Sequence, residues 1–400
     1  MKMNMRNENR LVPKLRFKEF VEEWNPEKLS NILDYERPDN YIVKDTNYLK
    51  AGTAVLTANK SFILGYTQET EGICNDIPVI IFDDFTVDNK YVNFPFKVKS
   101  SAIKILRPRG KDNLKFIFEL MSLIQYDANE HKRYYISAYQ NLTVLIPKIP
   151  EQQKIASCLS SLDEVITGEK QKLELLKAHK KGLLQQLFPQ EGETVPKLRF
   201  KEFEESGEWE VKRLNEIGEF TGGGTPSKSN ESFWIGDIPW ISSSDIEEES
   251  IHSVKVNRYI SKEALISSAT KIVSANSILL VSRVGVGKLA ITLTPICTSQ
   301  DFTNFTPTKE NLIFLAYCLK NQKGNLLGFS QGMAIKGFTK DDISNLDVAI
   351  PSINEQEKIA ACLSSLDDLL TAQVQKLSAL KQHKKALLQG LFPTINKENE

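Results

Sequence analysis

The sequence carries no excess of either charge: 51 acidic and 51 basic side chains leave the 400-residue chain formally neutral. No global positive field draws in a polyanion, so any basic surface has to be local. Cysteine is scarce. Cys74, Cys158, Cys297, Cys318 and Cys362 are odd in number and include no C-x-x-C, which argues against a disulfide framework and against a zinc site. Cys158 and Cys362 read as small buried apolar groups. There is no apolar run of about 18 residues and no signal peptide, so a soluble, cytoplasmic chain is expected. Four histidines, His131, His179, His252 and His383, show no metal-ligand spacing.

Catalytic machinery is missing as well. The string GVGK at Gly285 to Lys288 is no phosphate loop, because Leu289 stands where Ser or Thr is needed and Ser282 where the first glycine belongs. The run GGGTPSK, Gly222 to Lys228, lacks the G-x-G-x-x-G spacing and reads as a tight loop bringing backbone close to a ligand. Neither an NPPY-type methyltransferase motif nor a cluster of nuclease carboxylates occurs. The expectation is a binding protein with no catalytic residue, metal or cofactor of its own.

What is present is a long helix made twice. Glu151 to Pro189 and Glu355 to Pro393 agree at 26 of 39 positions. Ile155, Leu159, Leu162, Ile166, Leu173, Leu176, Leu183 and Leu187 recur at steps dominated by three and four, and Ile359, Leu363, Leu366, Leu370, Leu377, Leu380, Leu387 and Leu391 repeat the stripe. Such a narrow stripe, on a helix roughly 55 Å long, requires a partner, and the matching stripe is the other copy. Glu169, Lys180, Gln373 and Lys384 interrupt both stripes at the same steps, as polar residues that fix register do.

A second repeat frames the first. VPKLRFKEF runs from Val12 to Phe20 and again from Val195 to Phe203, each copy followed by a tryptophan, Trp24 or Trp209. The expected organisation is a frayed N-terminus at 1–11, a first recognition domain at 12–150, a first long helix at 151–189 and a short linker at 190–194. A second domain at 195–354, a second long helix at 355–393 and a tail at 394–400 complete the chain. The intervening regions are not visibly similar to each other. Ala54 to Ala58, Pro78 to Phe82 and Ser101 to Leu106 read as strands, Asn113 to Tyr126 as a helix, and NLTVLIP and NLDVAIP as strands feeding the long helices. The fold class expected is α+β: two mixed domains separated by two long antiparallel coiled-coil helices with a pseudo-two-fold internal repeat.

Candidate binding residues fall in two groups. In the first domain Arg107, Arg109 and Lys111 (RPRGK) and Lys132, Arg133 and Tyr134 (HKRYY) mix positive charge with aromatic rings, suited to phosphates and base edges. In the second, Thr225, Lys228, Trp240, Ser242, Ser244, Arg283, Gln331 and Lys336 punctuate glycine-rich loops. Arg283 and Gln331 suit base contacts, since Arg and Gln pair bidentately with guanine and adenine edges; Lys228 and Lys336 suit phosphates.

Taken together, GGGTPSK, IPWI (Ile238 to Ile241), SRVGVGK (Ser282 to Lys288), SQGMAIKGF (Ser330 to Phe338) and IPSINEQEKIA (Ile350 to Ala360) make the sequence resemble the specificity subunits of type I restriction-modification systems. TANKSFILGYT (Thr57 to Thr67), IIFDDFT (Ile80 to Thr86) and IPKIPEQQKIA (Ile146 to Ala156) resemble a different subclass of the same recognition domain. The resemblance implies two target recognition domains, each reading half of a split, asymmetric double-stranded DNA site, with the helices setting the gap and docking methyltransferase subunits. It implies two modification subunits that use S-adenosylmethionine, and two motor-nuclease restriction subunits that use ATP and Mg. An orphan or phage-type mimic of such a subunit, or a coiled-coil scaffold that binds no DNA, are the competing readings.

Overall fold

The computed structural model describes residues 12–58, 61–128, 132–328 and 337–393. The expected frayed terminus at 1–11 and tail at 394–400 lie outside these, as do His131, Gln331 and Lys336. The chain divides into two compact units, Met1–Lys170 with Gln375–Glu400, and Gln171–Val374. Each unit therefore holds one mixed domain, the start of one long helix and the end of the other.

In the first unit β1 (Asn25–Lys28), α1 (Leu29–Ile32), β2 (Leu33–Glu36), β3 (Thr53–Leu56), β4 (Ile63–Thr67), β5 (Val79–Asp83), β6 (Asn89–Val92), β7 (Phe96–Val98), β8 (Ile103–Pro108), α2 (Leu114–Met121) and β9 (Thr143–Ile146) precede α3 (Ile149–Leu187). An antiparallel sheet has the order β2-β8-β5-β6, a second sheet β4-β3-β7 contains one parallel pair, and β1 pairs with β9. β5 is apolar without interruption until its last residue because both its faces are covered. Ile80 and Phe82 enter the core shared with α2 and the long helices, whereas Val79 and Ile81 enter the core under the second sheet.

The second unit repeats this plan in a different sequence. Its elements are β10 (Glu210–Arg213), α4 (Leu214–Ile217), β11 (Gly218–Gly222), β12 (Ile238–Ile241), β13 (Arg258–Ile260), α5 (Lys262–Ser267), β14 (Ile272–Val273), β15 (Ser277–Val281), β16 (Leu289–Thr292), β17 (Ile296–Thr298) and β18 (Phe302–Pro307). α6 (Leu312–Asn321), α7 (Lys323–Gly328), α8 (Lys340–Ser344), β19 (Asp347–Ile350) and α9 (Ile353–Leu391) come next. The sheets are β11-β18-β15-β16, β13-β12-β17-β14 and β10-β19. β15 stands where β5 does, with Ile278 and Leu280 facing one core and Leu279 and Val281 the other.

Each copy of the repeated frame motif makes the same clamp within its own unit. Arg16 donates through Nε and Nη2 to the Glu151 carboxylate at 2.8 and 2.7 Å, and Arg199 does the same to Glu355 at 2.7 Å twice. These planar, charge-assisted pairs hold the opening motif on the first turn of the long helix. The next residue binds the shorter helix: Gln152 accepts from the Asn113 amide and Gln356 from the Asn311 amide, at 2.8 and 2.9 Å. Trp24 meets Phe116 and Phe392 ring to ring, and Trp209 meets Phe314 and Phe188. The Leu-Phe-Pro that ends each helix thus closes a domain core.

Within each unit the two helix segments run antiparallel. Ile155 and Leu159 share a core with Leu387 and Leu391, while Glu169 pairs with Lys376 at 2.5 Å. Every residue of both expected stripes is buried or half-buried. The polar interruptions are paired: Lys180 with Asp367 in the second unit, and Lys384 with Asp163 and Glu119 in the first, at 2.6 and 3.0 Å.

Several local expectations shift. The long helices begin at Ile149 and Ile353, two residues before the glutamates, because Lys148 and Ser352 carbonyls already accept the first helical bonds. The helix expected over Asn113 to Tyr126 is only Leu114–Met121, with Asn113 as its cap, its side chain accepting from the Phe116 amide. Cys158 and Cys362 are half-exposed rather than buried.

Candidate nucleic-acid interface

In the second domain four loops leave the strands at one end of the two larger sheets. Gly222 pairs with Thr303, Val281 with Phe302 and Ile241 with Thr298, so the loops after β11, β12 and β15 and the loop before β18 gather there. Backbone bonds tie them: Gly224 to Thr298 (2.8 Å), Ser299 to Ile241 (2.9 Å) and Ser282 to Asp301 (2.7 Å). The carbonyl of Gly224 accepts from Trp240 Nε1 and from the Thr270 hydroxyl. A Cβ on Gly224 would lie 2.4 Å from the Ala269 carbonyl carbon, so only glycine lets the loop pack this closely.

Five of the expected residues, Thr225, Lys228, Ser242, Ser244 and Arg283, lie on these loops. The Thr225 hydroxyl donates to the Gln300 side chain. Ser242 accepts from Arg258 at 2.7 Å and lies 2.9 Å from the Ser244 hydroxyl. Arg283 is exposed at the β15–β16 hairpin, beside Val284, which is 70% exposed. Lys228 is also exposed. Trp240 is a correction: it is 2% exposed, its N–H is used within the fold, and the Arg258 guanidinium covers its ring at 4.6 Å. It builds the loops and offers no face to a ligand.

The two basic groups of the first domain do not meet. Asp83 pairs with Ile103 and Ile80 with Leu106, so the HKRYY segment, bound at Asp84, and the RPRGK segment lie towards opposite ends of β8. Arg107 is held by Asp76 at 3.0 Å and Glu36 at 3.5 Å, and Arg109 by Asp34 at 2.7 Å. Those pairs sit at the end where the long helix begins, near the Gln152 clamp on Asp112 and Asn113, while Lys111 is exposed. The RPRGK group is thereby removed from the loop end that matches the second domain's. Tyr134 is likewise core, 3% exposed with its ring against Tyr126. Lys132 and Arg133 are exposed, Lys132 over the Tyr134 ring at 5.5 Å and Arg133 over the Phe85 ring at 5.9 Å.

Sequence reading missed the residues that position these groups. Asp84, 1% exposed, accepts the Tyr135 amide at 2.9 Å on Oδ1 and faces Lys104 Nζ at 3.4 Å. The acidic pair Asp83-Asp84 that ends the apolar run of β5 was the available signal. Gln300 and Arg258 carried no such signal, since their roles come from strand neighbours distant in sequence. Among the described residues no group of three or more His, Cys, Asp or Glu side chains is placed to hold a metal, and no helix is long and apolar enough to cross a membrane.

The specificity subunit of the Escherichia coli type I restriction enzyme EcoR124I/EcoR124II is 34% identical to this chain over 377 residues, 89% of each. The chain belongs to the type I restriction enzyme specificity-subunit family. Residues 206–382 match the family model described as the type I restriction modification DNA specificity domain. The MjaIX specificity subunit of Methanocaldococcus jannaschii is 32% identical over 190 residues, 46% of this chain and 44% of its own. The crystal structure of the type I restriction-modification S subunit from M. genitalium shares the fold with a TM-score of 0.63 at 15% identity, covering 96% of this chain and 100% of its own.

Proposed function

We propose that this subunit reads a two-part, asymmetric double-stranded DNA sequence, each domain recognising one half through the loop end described above. The single observation that carries this is that the larger sheets of the two domains have matching strand orders, β2-β8-β5-β6 and β11-β18-β15-β16, while the side chains at that end differ: exposed Arg133 over half-buried Phe85 in one, exposed Arg283 and Gln300 with half-buried Thr225 in the other. Common backbones with unlike tips suit two readers of unlike sequence. Lys132 and Lys228 supply phosphate contacts at that end; the base contact expected of Gln331 and the phosphate contact expected of Lys336 concern a segment outside the described residues.

The chain works in the cytoplasm without chemistry of its own. Two methyltransferase subunits bring S-adenosylmethionine, two restriction subunits bring ATP and Mg, and the long helices dock the former and set the gap between half-sites. Purified alone, the chain neither methylates nor cleaves DNA; with its methyltransferase it supports adenine methylation at one bipartite motif. Exchanging residues 210–351 for the matching domain of a relative changes one half of that motif, as mapped by methylation sequencing. Change in both halves or in neither overturns the reading.

A further inference from the structure

The two domains show no visible sequence similarity, yet two backbone hydrogen bonds align them residue by residue at the loop end. The Asp84 amide donates to Ala102 and the Ser282 amide to Asp301; the Tyr134 amide donates to the Asp84 carbonyl at 2.9 Å, and the Phe338 amide to the Ser282 carbonyl at 3.0 Å. Asp84 and Ser282 are therefore one position, and Tyr134 and Phe338 another. Phe85 then corresponds to Arg283, each next along the hairpin, and Arg133 to Gly337, each just ahead of the crossing segment's anchor.

At this shared spot each domain sets one hairpin residue against one residue of the crossing segment. In the second domain the hairpin supplies a guanidinium, Arg283, and the facing position of the crossing segment is Gly337, which has no side chain. A Cβ on Gly337 would lie 2.6 Å from the Ser282 carbonyl oxygen and 3.4 Å from Arg283 Cα. In the first domain the assignment is reversed: the hairpin supplies a half-buried ring, Phe85, and the crossing segment lays the exposed Arg133 over it. Each arrangement leaves one exposed arginine at the same place on the fold, delivered from opposite chain segments. A ring under a guanidinium restricts its plane while its edge donors stay outward, the geometry a bidentate base contact needs.

Resting on the reading that each domain recognises one half-site, we infer that Arg133 and Arg283 are the equivalent specificity-determining residues of the two domains, each contacting a guanine edge in its own half-site. Phe85 is a positioning residue for Arg133. The guanine edge is the chemistry named because a planar fork of donors matches its two acceptors.

The test uses the full chain assembled with its methyltransferase subunits, with methylation rates measured on duplexes carrying every single-base change in the motif. R133A lowers discrimination at one base pair of one half-site by about 5- to 100-fold, and R283A does so at one base pair of the other half. R133K retains charge and overall affinity but loses the same discrimination, because an ammonium has no fork. F85L reduces discrimination at the Arg133 base pair, but adding F85L to R133A gives no further loss there, the non-additivity expected of a residue that acts through Arg133. Uniform weakening on every duplex by R133A, or loss in the half-site that R283A affects, overturns the inference. So does unchanged discrimination in R133A while the parent complex keeps its bipartite motif. If the parent complex itself methylates no two-part motif, the underlying functional reading is what fails.

Discussion

Lys180 of α3 donates to the carboxylate of Asp367 of α9, and both side chains are at least nine-tenths buried. Tyr317 of α6 donates to the other oxygen of that carboxylate at 2.5 Å, and the ammonium stands 5.2 Å from the Tyr317 ring centroid. Burial, followed by this bond to a carboxylate, pushes the Tyr317 phenol well above its ordinary value. Three elements of the second unit are thus pinned at one charged point. Removing one partner from such a pair strands a buried charge. Lys180→Met is expected to cost about 3–5 kcal/mol, and Tyr317→Phe about 2 kcal/mol, measured by chemical denaturation. A Lys180→Met cost below about 1 kcal/mol would show water reaching Asp367.

The first unit solves the same junction differently. Asp163 faces Lys115 at 2.7 Å and Lys384 at 2.6 Å, and both lysines also reach Glu119. Burial alone would raise the Asp163 pKa, but the hydrogen bonds from Lys115 and Lys384 outweigh it and hold the carboxyl below the ordinary aspartate value. A depressed carboxyl contributes stability that is fully present above the unfolded value of about 4 and is lost as pH falls through the lower folded one. Acid titration of stability should therefore steepen below about pH 4, and Asp163→Asn should flatten that limb while lowering stability at neutral pH. An unchanged acid limb in the variant would remove Asp163 from the account.

Arg283 and Lys228 are both exposed at the second domain's loops but differ in the contacts they can make. Arg283→Ala should relax one base pair of the target by about 1–3 kcal/mol. Lys228→Ala should weaken binding on all sequences alike and reduce the salt slope by about one. Titrations of the assembled complex on matched and mismatched duplexes at several salt concentrations separate the two. Uniform weakening from Arg283→Ala would demote it to a backbone contact.

Gly224 sits where a methyl group would overlap the backbone of Ala269 and Thr270. Gly224→Ala should displace the Trp240 and Thr270 hydrogen bonds and disturb reading of the second half-site more than the first. Methylation mapping that showed both half-sites read normally would mean the loop can move without consequence.

The sequence alone determined the frame. Arg16 with Glu151, Arg199 with Glu355, and the two Trp–Phe clusters require particular side chains, so both copies keep them and the repeat is legible. The apolar stripes were equally legible, because burial on one side of a helix imposes a period, and three of their four polar breaks, Glu169, Lys180 and Lys384, sit in ion pairs. What only the tertiary structure decided was that the two intervening regions are one fold, and which end of each carries the candidate surface. A buried strand such as β5 or β15 asks for apolar residues of any kind, so VIIFD and SILLV build the same centre without resembling each other. Strand register then placed RPRGK away from the hairpin end, and tertiary packing turned Tyr134 and Trp240 inward, matters of which residue faces which neighbour and not of residue type. The match of Asp84 to Ser282 rests on hydrogen bonds between backbone groups, which every sequence possesses and none displays.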